Sequence, residues 1–267
     1  NENEIIFTSG ATAAINLVAY SWGRNFLNKD DEIIITIAEH HANFVPWQYI
    51  SKSIGAKLKI VFFNPDEEFD IDEIKKLLSE KTKLIAFPHV SNVLGTVFPV
   101  KEICDLAKDV GAISLVDGCQ GAIHFPVNVK ELNCDFYCFS GHKLYGPTGI
   151  GILYGKNEIL QEMPPFLCGG DMIDNVKIEN TTFADPPLRF EAGTPPIVQA
   201  IALGKAVDWV ESVGLKNIQN HEKKLICYGV EKLNSIKGVS IFGKNKNKAG
   251  VISFTMSCAH SHDIATI

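Results

Sequence analysis

Arginine is almost missing from this chain. Its 267 residues hold only two, Arg24 and Arg189. A basic excess is missing too: 25 Lys and Arg stand against 31 Asp and Glu, for a net charge of -6. Nucleic acid is therefore not an expected partner, since no clustered cationic face is offered to phosphates. No apolar run approaches the roughly 20 residues that span a bilayer, and no basic-then-apolar leader opens the chain, so no membrane association is expected. Seven cysteines, an odd number thinly spread, suit reduced thiols in a cytoplasmic compartment better than a disulfide framework. Neither a Rossmann fingerprint nor a Walker A loop is present. The turn Ser9-Gly10 lacks the second and third glycines of the first, and Gly155-Lys156 is followed by Asn157 where the second needs Ser or Thr.

What is present is an alternation of short β-branched runs with longer helical stretches, which predicts an α/β fold with a largely parallel sheet. Strands are expected at Ile5–Thr8, Glu32–Ile37, Leu58–Phe63, Leu84–His89, Ala112–Asp117, Phe136–Phe139 and Gly149–Tyr154. Helices are expected at Ala13–Ala19, Val45–Ser53, Ile71–Leu78 and Val100–Val110. The pattern changes near residue 196. Two long helices, Ile197–Ser212 and Leu215–Leu233, precede two strands, Val239–Phe242 and Gly250–Phe254. The reading is a large unit over 1–196 and, over 197–267, a connecting helix with the start of a smaller α+β domain. The chain opens on Asn1 and stops in what reads as the first turn of a helix, so it is expected to be a segment of a longer protein.

Open parallel sheets bind ligands outside the carboxyl ends of their strands. The polar residues there are Ser9 to Thr12, Glu39-His40-His41, His89 to Asn92, Asp117 to Gln120 and Ser140 to Lys143. The first group is a strand, a glycine turn and a helix start, a place for an anion or an ordinary N-cap. Asp117 closes a buried strand, where a carboxylate is costly unless paired. It either caps the next turn or neutralises a protonated heterocycle. Lys143 lies between glycines after another strand. Partial burial would free its amine for Schiff-base chemistry, and a solvated lysine is the plain alternative. A Schiff-base lysine, an acid for a ring nitrogen and a phosphate cradle together are what a pyridoxal enzyme needs. One of His40 and His41 could stack on such a ring or shuttle protons. A metal pair is disfavoured, because adjacent histidines diverge and no further ligand is near. Cys134 and Cys138 read as core thiols.

Five ordered motifs then carry a resemblance. They are Glu39-His-His-Ala-Asn-Phe-Val-Pro-Trp-Gln48, His89-Val-Ser-Asn-Val-Leu-Gly-Thr96, Val116-Asp-Gly-Cys-Gln120, Phe139-Ser-Gly-His-Lys-Leu-Tyr-Gly-Pro147 and Arg189-Phe-Glu-Ala-Gly-Thr-Pro195. They resemble the class V aminotransferases, in particular the cysteine desulfurases of iron–sulfur assembly that also act as selenocysteine lyases. The resemblance implies the pyridoxal-phosphate fold-type I, a homodimer and the cofactor pyridoxal 5'-phosphate. It implies that Lys143 holds the cofactor and moves the substrate α-proton, that Asp117 pairs with the ring nitrogen, and that His40 stacks on the ring. Gln120 and Asn92 would lie near the phenolic oxygen. Thr12, Ser140 and His142 would bind the phosphate, with Thr194 reaching that of the neighbouring subunit.

The implied reaction converts L-cysteine, or L-selenocysteine, to L-alanine, with the sulfur passing through an enzyme persulfide to an acceptor protein. Other enzymes of the same fold are the alternative, and a non-catalytic sulfur-transfer partner is a further one. No cysteine here stands in the Arg-Thr-Gly-x-x-Cys context of the family nucleophile, and Cys119, Cys168 and Cys258 are not assigned to it. Ala13 replaces a residue that is commonly acidic. Arginine usually grips an amino-acid carboxylate, and neither Arg24 nor Arg189 is placed for that, so clamp and nucleophile are both expected outside this chain.

Overall fold

A computed structural model describes residues 1–64, 68–243 and 248–267. Its centre is a seven-stranded sheet built from β1 (Ile5–Thr8), β2 (Glu32–Thr36), β3 (Lys57–Val61), β4 (Thr82–Pro88), β5 (Ile113–Asp117), β6 (Phe136–Ser140) and β7 (Gly151–Gly155). The order across the sheet is β1-β7-β6-β5-β4-β2-β3. β7 alone runs against the rest, wedged between β1 and β6, and the neighbouring pairs from β6 to β3 are parallel. The expected mostly parallel α/β fold is what forms.

The near-continuous apolar strands follow from burial on both faces. Ile33 and Ile35 of β2 point into one core with Leu84, Leu115 and Phe136, under the helices Ala11–Leu17 and His41–Ile54. Ile34 points the other way, joining Ile85, Val116 and Tyr137 beneath the helices Ile71–Leu77 and Val100–Asp109. Alternate residues of one strand thus serve opposite cores.

Helix starts differ from expectation in two informative places. The helix expected from Val45 begins at His41, because the His40 imidazole Nδ1 accepts the Ala42 N–H at 3.1 Å and caps it. Pro46 lies inside this helix. The helix expected from Ala13 begins at Ala11 directly after Gly10, whose φ of 151° suits glycine. It then widens into a π-helical turn over Val18–Gly23.

Beyond residue 196 come the helices Ile197–Val213 and Leu215–Asn234. Before them stands an unexpected small hairpin of β8 (Ile173–Val176) and β9 (Thr181–Phe183). After them, β10 (Val239–Phe242) pairs antiparallel with β11 (Ser253–Met256). The apolar pattern places the start of that last strand at Gly250. Instead the Ala249 N–H donates to Gly95 O at 2.9 Å and the Val251 N–H to Ala249 O at 2.6 Å, so this stretch turns against the Ser91–Thr96 loop before β11 can begin. A second tie between the residues before and after 196 is the His124 Nδ1–Glu222 Oε2 contact of 2.8 Å. Among the described residues no helix is long and apolar enough to cross a membrane, and the seven cysteines are unpaired.

Candidate active site

The carboxyl ends of β1, β5 and β6 meet at one edge of the sheet, on either side of β7. Thr8 pairs with Gly151, and Gly151 with Ser140. A Cβ on Gly151 would stand 2.5 Å from Gly10 Cα, so only glycine lets the first turn close onto β7. The buried Ser140 hydroxyl accepts the Ala11 N–H at 2.9 Å. Sequence reasoning assigned Ser140 and the Ser9–Thr12 turn to one anion cradle, and this hydrogen bond brings them together. The Ser140 O–H still has a proton to donate outward. Thr12 and His142 are exposed, and Asn92 is half-buried in the turn after Ser91.

Asp117 ends β5 in a buried position, with Oδ1 accepting the Cys119 N–H at 2.9 Å. No ion pair reaches this buried carboxylate among the described residues. Gly118 is required for space: a Cβ there would lie 2.0 Å from Tyr137 Cε1. Half-buried Lys143 closes a short 3-10 turn, Gly141–Lys143, directly after β6. Its ammonium acts on the Cys119 thiol, whose Sγ is 3.9 Å from Ser140 Oγ, and favours the thiolate. Burial and the Asp117 charge outweigh that, pushing the thiol up to about 12. Cys119 is therefore a poor nucleophile despite its central position.

His40 is exposed beside this edge and tilts against His41 at 5.8 Å. Glu39, to which sequence reasoning gave no role, accepts from Thr36 Oγ1 at 3.0 Å and Asn43 Nδ2 at 2.8 Å. Burial and the nearby Asp117 charge hold its carboxyl well above the usual range, so it tends to stay protonated. His89, directly after β4, is tied inward. It is buried, with Nδ1 2.9 Å from the Tyr137 hydroxyl and its ring stacked on Phe125, and burial with the His124 charge pulls it down to about 4. Gln120 contacts His124, its Oε1 lying 3.3 Å from the ring Nε2. His124 gave no readable signal in the sequence, because its partner Glu222 is 98 positions away.

Thr194 is exposed and lines a cavity of about 300 Å³ with Thr8, Ser9, Phe166 and Glu191, beside the first turn. Nothing in the structure ties it to Lys143. Arg189 is spent on the fold: its guanidinium donates to the carbonyls of Ala184, Leu160, Gln161 and Met163. It cannot also clamp a substrate, as expected. Among the described residues no cluster of His, Cys, Asp and Glu could hold a metal.

The donor set has a specific chemical shape. An amine, a buried carboxylate without a cation, and a hydroxyl-rich helix start share one edge. That combination fits a phosphorylated, protonated heterocycle carrying an aldehyde.

The aminotransferase class-V family profile matches residues 1–267. A probable cysteine desulfurase of Halalkalibacterium halodurans is 49% identical over 264 residues, covering 99% of this chain and 65% of that protein. The crystal structure of the cysteine desulfurase CsdA from Escherichia coli superposes with a TM-score of 0.96 at 36% identity, covering 100% of this chain and 66% of the other. A mutant of C-DES with glycine covalently linked to its PLP cofactor matches with a TM-score of 0.85 at 25% identity, covering 96% and 68%. The chain thus spans about 65% of the length of the curated relatives it matches.

Proposed function

The chain belongs to the class-V aminotransferase family, and on that premise we propose that it forms the cofactor-binding part of a pyridoxal-phosphate cysteine desulfurase. The observation that carries this reading is Asp117, a buried carboxylate at a strand end with no ion-pair partner among the described residues. A pyridinium nitrogen would supply a positive charge there. Lys143 would hold the cofactor through Nζ, Ser140 with the Ala11–Leu17 helix start would receive the phosphate with Thr12 and His142, and His40 would cover the ring. Gln120 and Asn92 would face the phenolic oxygen, and Thr194 would reach toward a second subunit. When bound, the cofactor provides an electron sink for bonds broken at the substrate α-carbon.

The chain's own residues do the rest. Lys143 Nζ would take and return the substrate α-proton. Asp117 would hold the proton of the ring nitrogen. Burial and the Asp117 charge raise the Glu39 carboxyl well above its usual range, which disfavours a second negative charge beside Asp117. The substrate is L-cysteine, which leaves as L-alanine after its sulfur passes to an enzyme thiolate and then to an acceptor protein. Cys119 does not supply that thiolate, since its thiol is pushed up to about 12; Cys168, Cys227 and Cys258 are exposed, and none stands in the sequence context of the family nucleophile.

The helix Ile197–Val213 exposes Ile197, Val198 and Ile201 at 56%, 75% and 71%. This apolar stripe supports a homodimer, with the large unit ending near residue 196.

The test is direct. Incubation with pyridoxal phosphate should give a protein-bound visible absorption band that Lys143→Ala abolishes and Asp117→Asn shifts. No band in the native chain, or an unchanged band in Lys143→Ala, refutes the assignment. Release of alanine from L-cysteine by the full-length protein tests the reaction.

A further inference from the structure

His40, which would cover the ring of a bound cofactor, stands between two members of a polar chain that runs into the core. Trp47 donates its indole N–H to Asn43 Oδ1 at 2.9 Å, Asn43 Nδ2 donates to Glu39 Oε2 at 2.8 Å, and Thr36 Oγ1 lies 3.0 Å from Glu39 Oε1. Thr36 is buried, and Asn43 and Trp47 are 0% exposed. The chain links the end of β2 to the second turn of the helix His41–Ile54, and His40 is the joint between them. The end of β2 belongs to the ligand edge. Ile35 pairs with Ala86 of β4, and Ala86 with Leu115 of β5. Thr36 therefore stands level with Val116, the neighbour of Asp117, two strand spacings or about 10 Å away. The Asp117 charge acts on Glu39 across this gap.

Chemistry fixes the direction of every bond in this chain but one. An indole N–H can only donate, so the oxygen of the Asn43 amide must face Trp47 and its nitrogen must face Glu39. That nitrogen can only donate, so Glu39 Oε2 can only accept. The other oxygen, Oε1, faces a hydroxyl, which donates to a carboxylate and accepts from a carboxylic acid. The chain is thus complete with Glu39 neutral, the form that burial and the Asp117 charge favour. Glutamine has the same two ends, an oxygen for Asn43 and an N–H for Thr36.

The His40 ring depends on the shape of this turn. Its Nδ1 accepts the Ala42 N–H at 3.1 Å, and its carbonyl accepts the Asn43 N–H at 2.8 Å. Both contacts hold only while the segment from Glu39 to Asn43 keeps its course. With Nδ1 committed to the backbone, Nε2 is the ring nitrogen left to a ligand.

We propose that Glu39 and Asn43 are positioning residues that hold the His40 ring at the ligand edge, by tying the turn on either side of it to β2 and to Trp47. That the ring covers a pyridoxal phosphate rests on the function proposed above; the splint itself does not. Glu39 contributes hydrogen bonds rather than negative charge, so glutamine should replace it and alanine should not.

The experiment compares the whole isotope-labelled chain with its Glu39→Gln and Glu39→Ala variants by nuclear magnetic resonance. In the native chain the His40 ring should show a nuclear Overhauser contact with the Ala42 amide proton. Glu39→Gln should keep that contact and the native ring signals. Glu39→Ala should lose it, with the ring signals moving toward those of a free histidine. With pyridoxal phosphate added, Glu39→Ala should shift the bound visible band and weaken binding several-fold, whereas Glu39→Gln should stay close to native. Absence of the contact in the native chain overturns the proposal, and this result needs no variant to fold. Glu39→Gln behaving like Glu39→Ala overturns it equally, because charge would then be what matters. A Glu39→Ala chain that melts lower yet keeps the native His40 signals also overturns it, leaving Glu39 a residue of the fold alone. Failure of the native chain to bind pyridoxal phosphate refutes the proposed function, while the ring signals still decide the splint.

Discussion

Substituting Gly118 by Ala should damage this protein more than any single methyl placed on its surface. The new Cβ would lie 2.0 Å from Tyr137 Cε1, 2.1 Å from Cζ and 2.4 Å from the hydroxyl oxygen. Ordinary carbon contacts need about 3.5–4.0 Å, so roughly 1.5 Å of overlap has to be relieved. Tyr137 is 2% exposed, and its hydroxyl is held by His89 Nδ1 at 2.9 Å. Moving the ring breaks that contact and leaves the buried Tyr137 hydroxyl unpaired. Overpacking costs about 1–3 kcal/mol, and an unsatisfied buried group about 1–3 kcal/mol more. Their sum, about 2–6 kcal/mol, is a large share of the roughly 5–15 kcal/mol that holds a typical domain. At about 2–4 °C per kcal/mol for a large domain, melting followed by circular dichroism should fall by roughly 5–20 °C. The same substitution in a Tyr137→Val background should cost much less, because the ring it strikes is gone. An unchanged melting temperature in Gly118→Ala, or equal losses in both backgrounds, would refute the steric role of this motif glycine.

Other outcomes follow from the charges and thiols. Glu32 is buried against Lys59 Nζ at 2.6 Å, with Ser79 and Thr82 hydroxyls on the same oxygen. Burial alone would raise its pKa, but these hydrogen bonds together outweigh it and lower the value below 4.5. Its stabilisation is thus complete above pH 4.5 and lost as pH falls through the lowered value. Glu32→Gln should flatten that acid limb in urea titrations, and an identical pH profile would contradict the assignment. Glu39 and Glu191 have raised values, so their contribution erodes as pH rises above 4.5. Iodoacetamide should label Cys168, Cys227 and Cys258 quickly in the native chain and all seven cysteines only in denaturant, as mass spectrometry of the digested protein would record. Ser140→Ala leaves the buried Ala11 N–H without its acceptor and should cost about 1–3 kcal/mol. Ser140→Thr, which keeps the hydroxyl, should cost less, and equal losses would show that the hydroxyl is not what matters.

The sheet was legible because burial on both faces writes unbroken runs such as Ile33-Ile34-Ile35 into the sequence. The site edge was legible because packing gives ionisable residues little reason to stand immediately after such runs. Asp117 and Lys143 are conspicuous on that ground, by their strand-end positions alone. The hairpin of β8 and β9 was missed because β8 is exposed throughout and carries no apolar alternation. The Gly250 strand start failed for a different reason, a backbone contact with Gly95 that no local pattern encodes. The setting of His89 was not legible, because its partner, Tyr137, belongs to a strand 48 positions on. His124 and Glu222 were silent for the same reason, since a histidine and a glutamate far apart in sequence look like two surface residues until the chain brings them together.

The wedge formed by β7 also sets a timetable for synthesis. The Ser9-Gly10 turn and the first N–H of its helix leave the ribosome ahead of the rest of the sheet, yet the hydroxyl that receives that N–H belongs to Ser140, 129 positions later. At about 5–20 residues per second, the N-terminal strand waits roughly 6–26 s for its neighbours. During that interval β1 is an unpaired edge strand. The ligand edge is consequently the last part of the sheet to close, and a nascent chain stalled before β7 should bind no cofactor however well the earlier strands have paired.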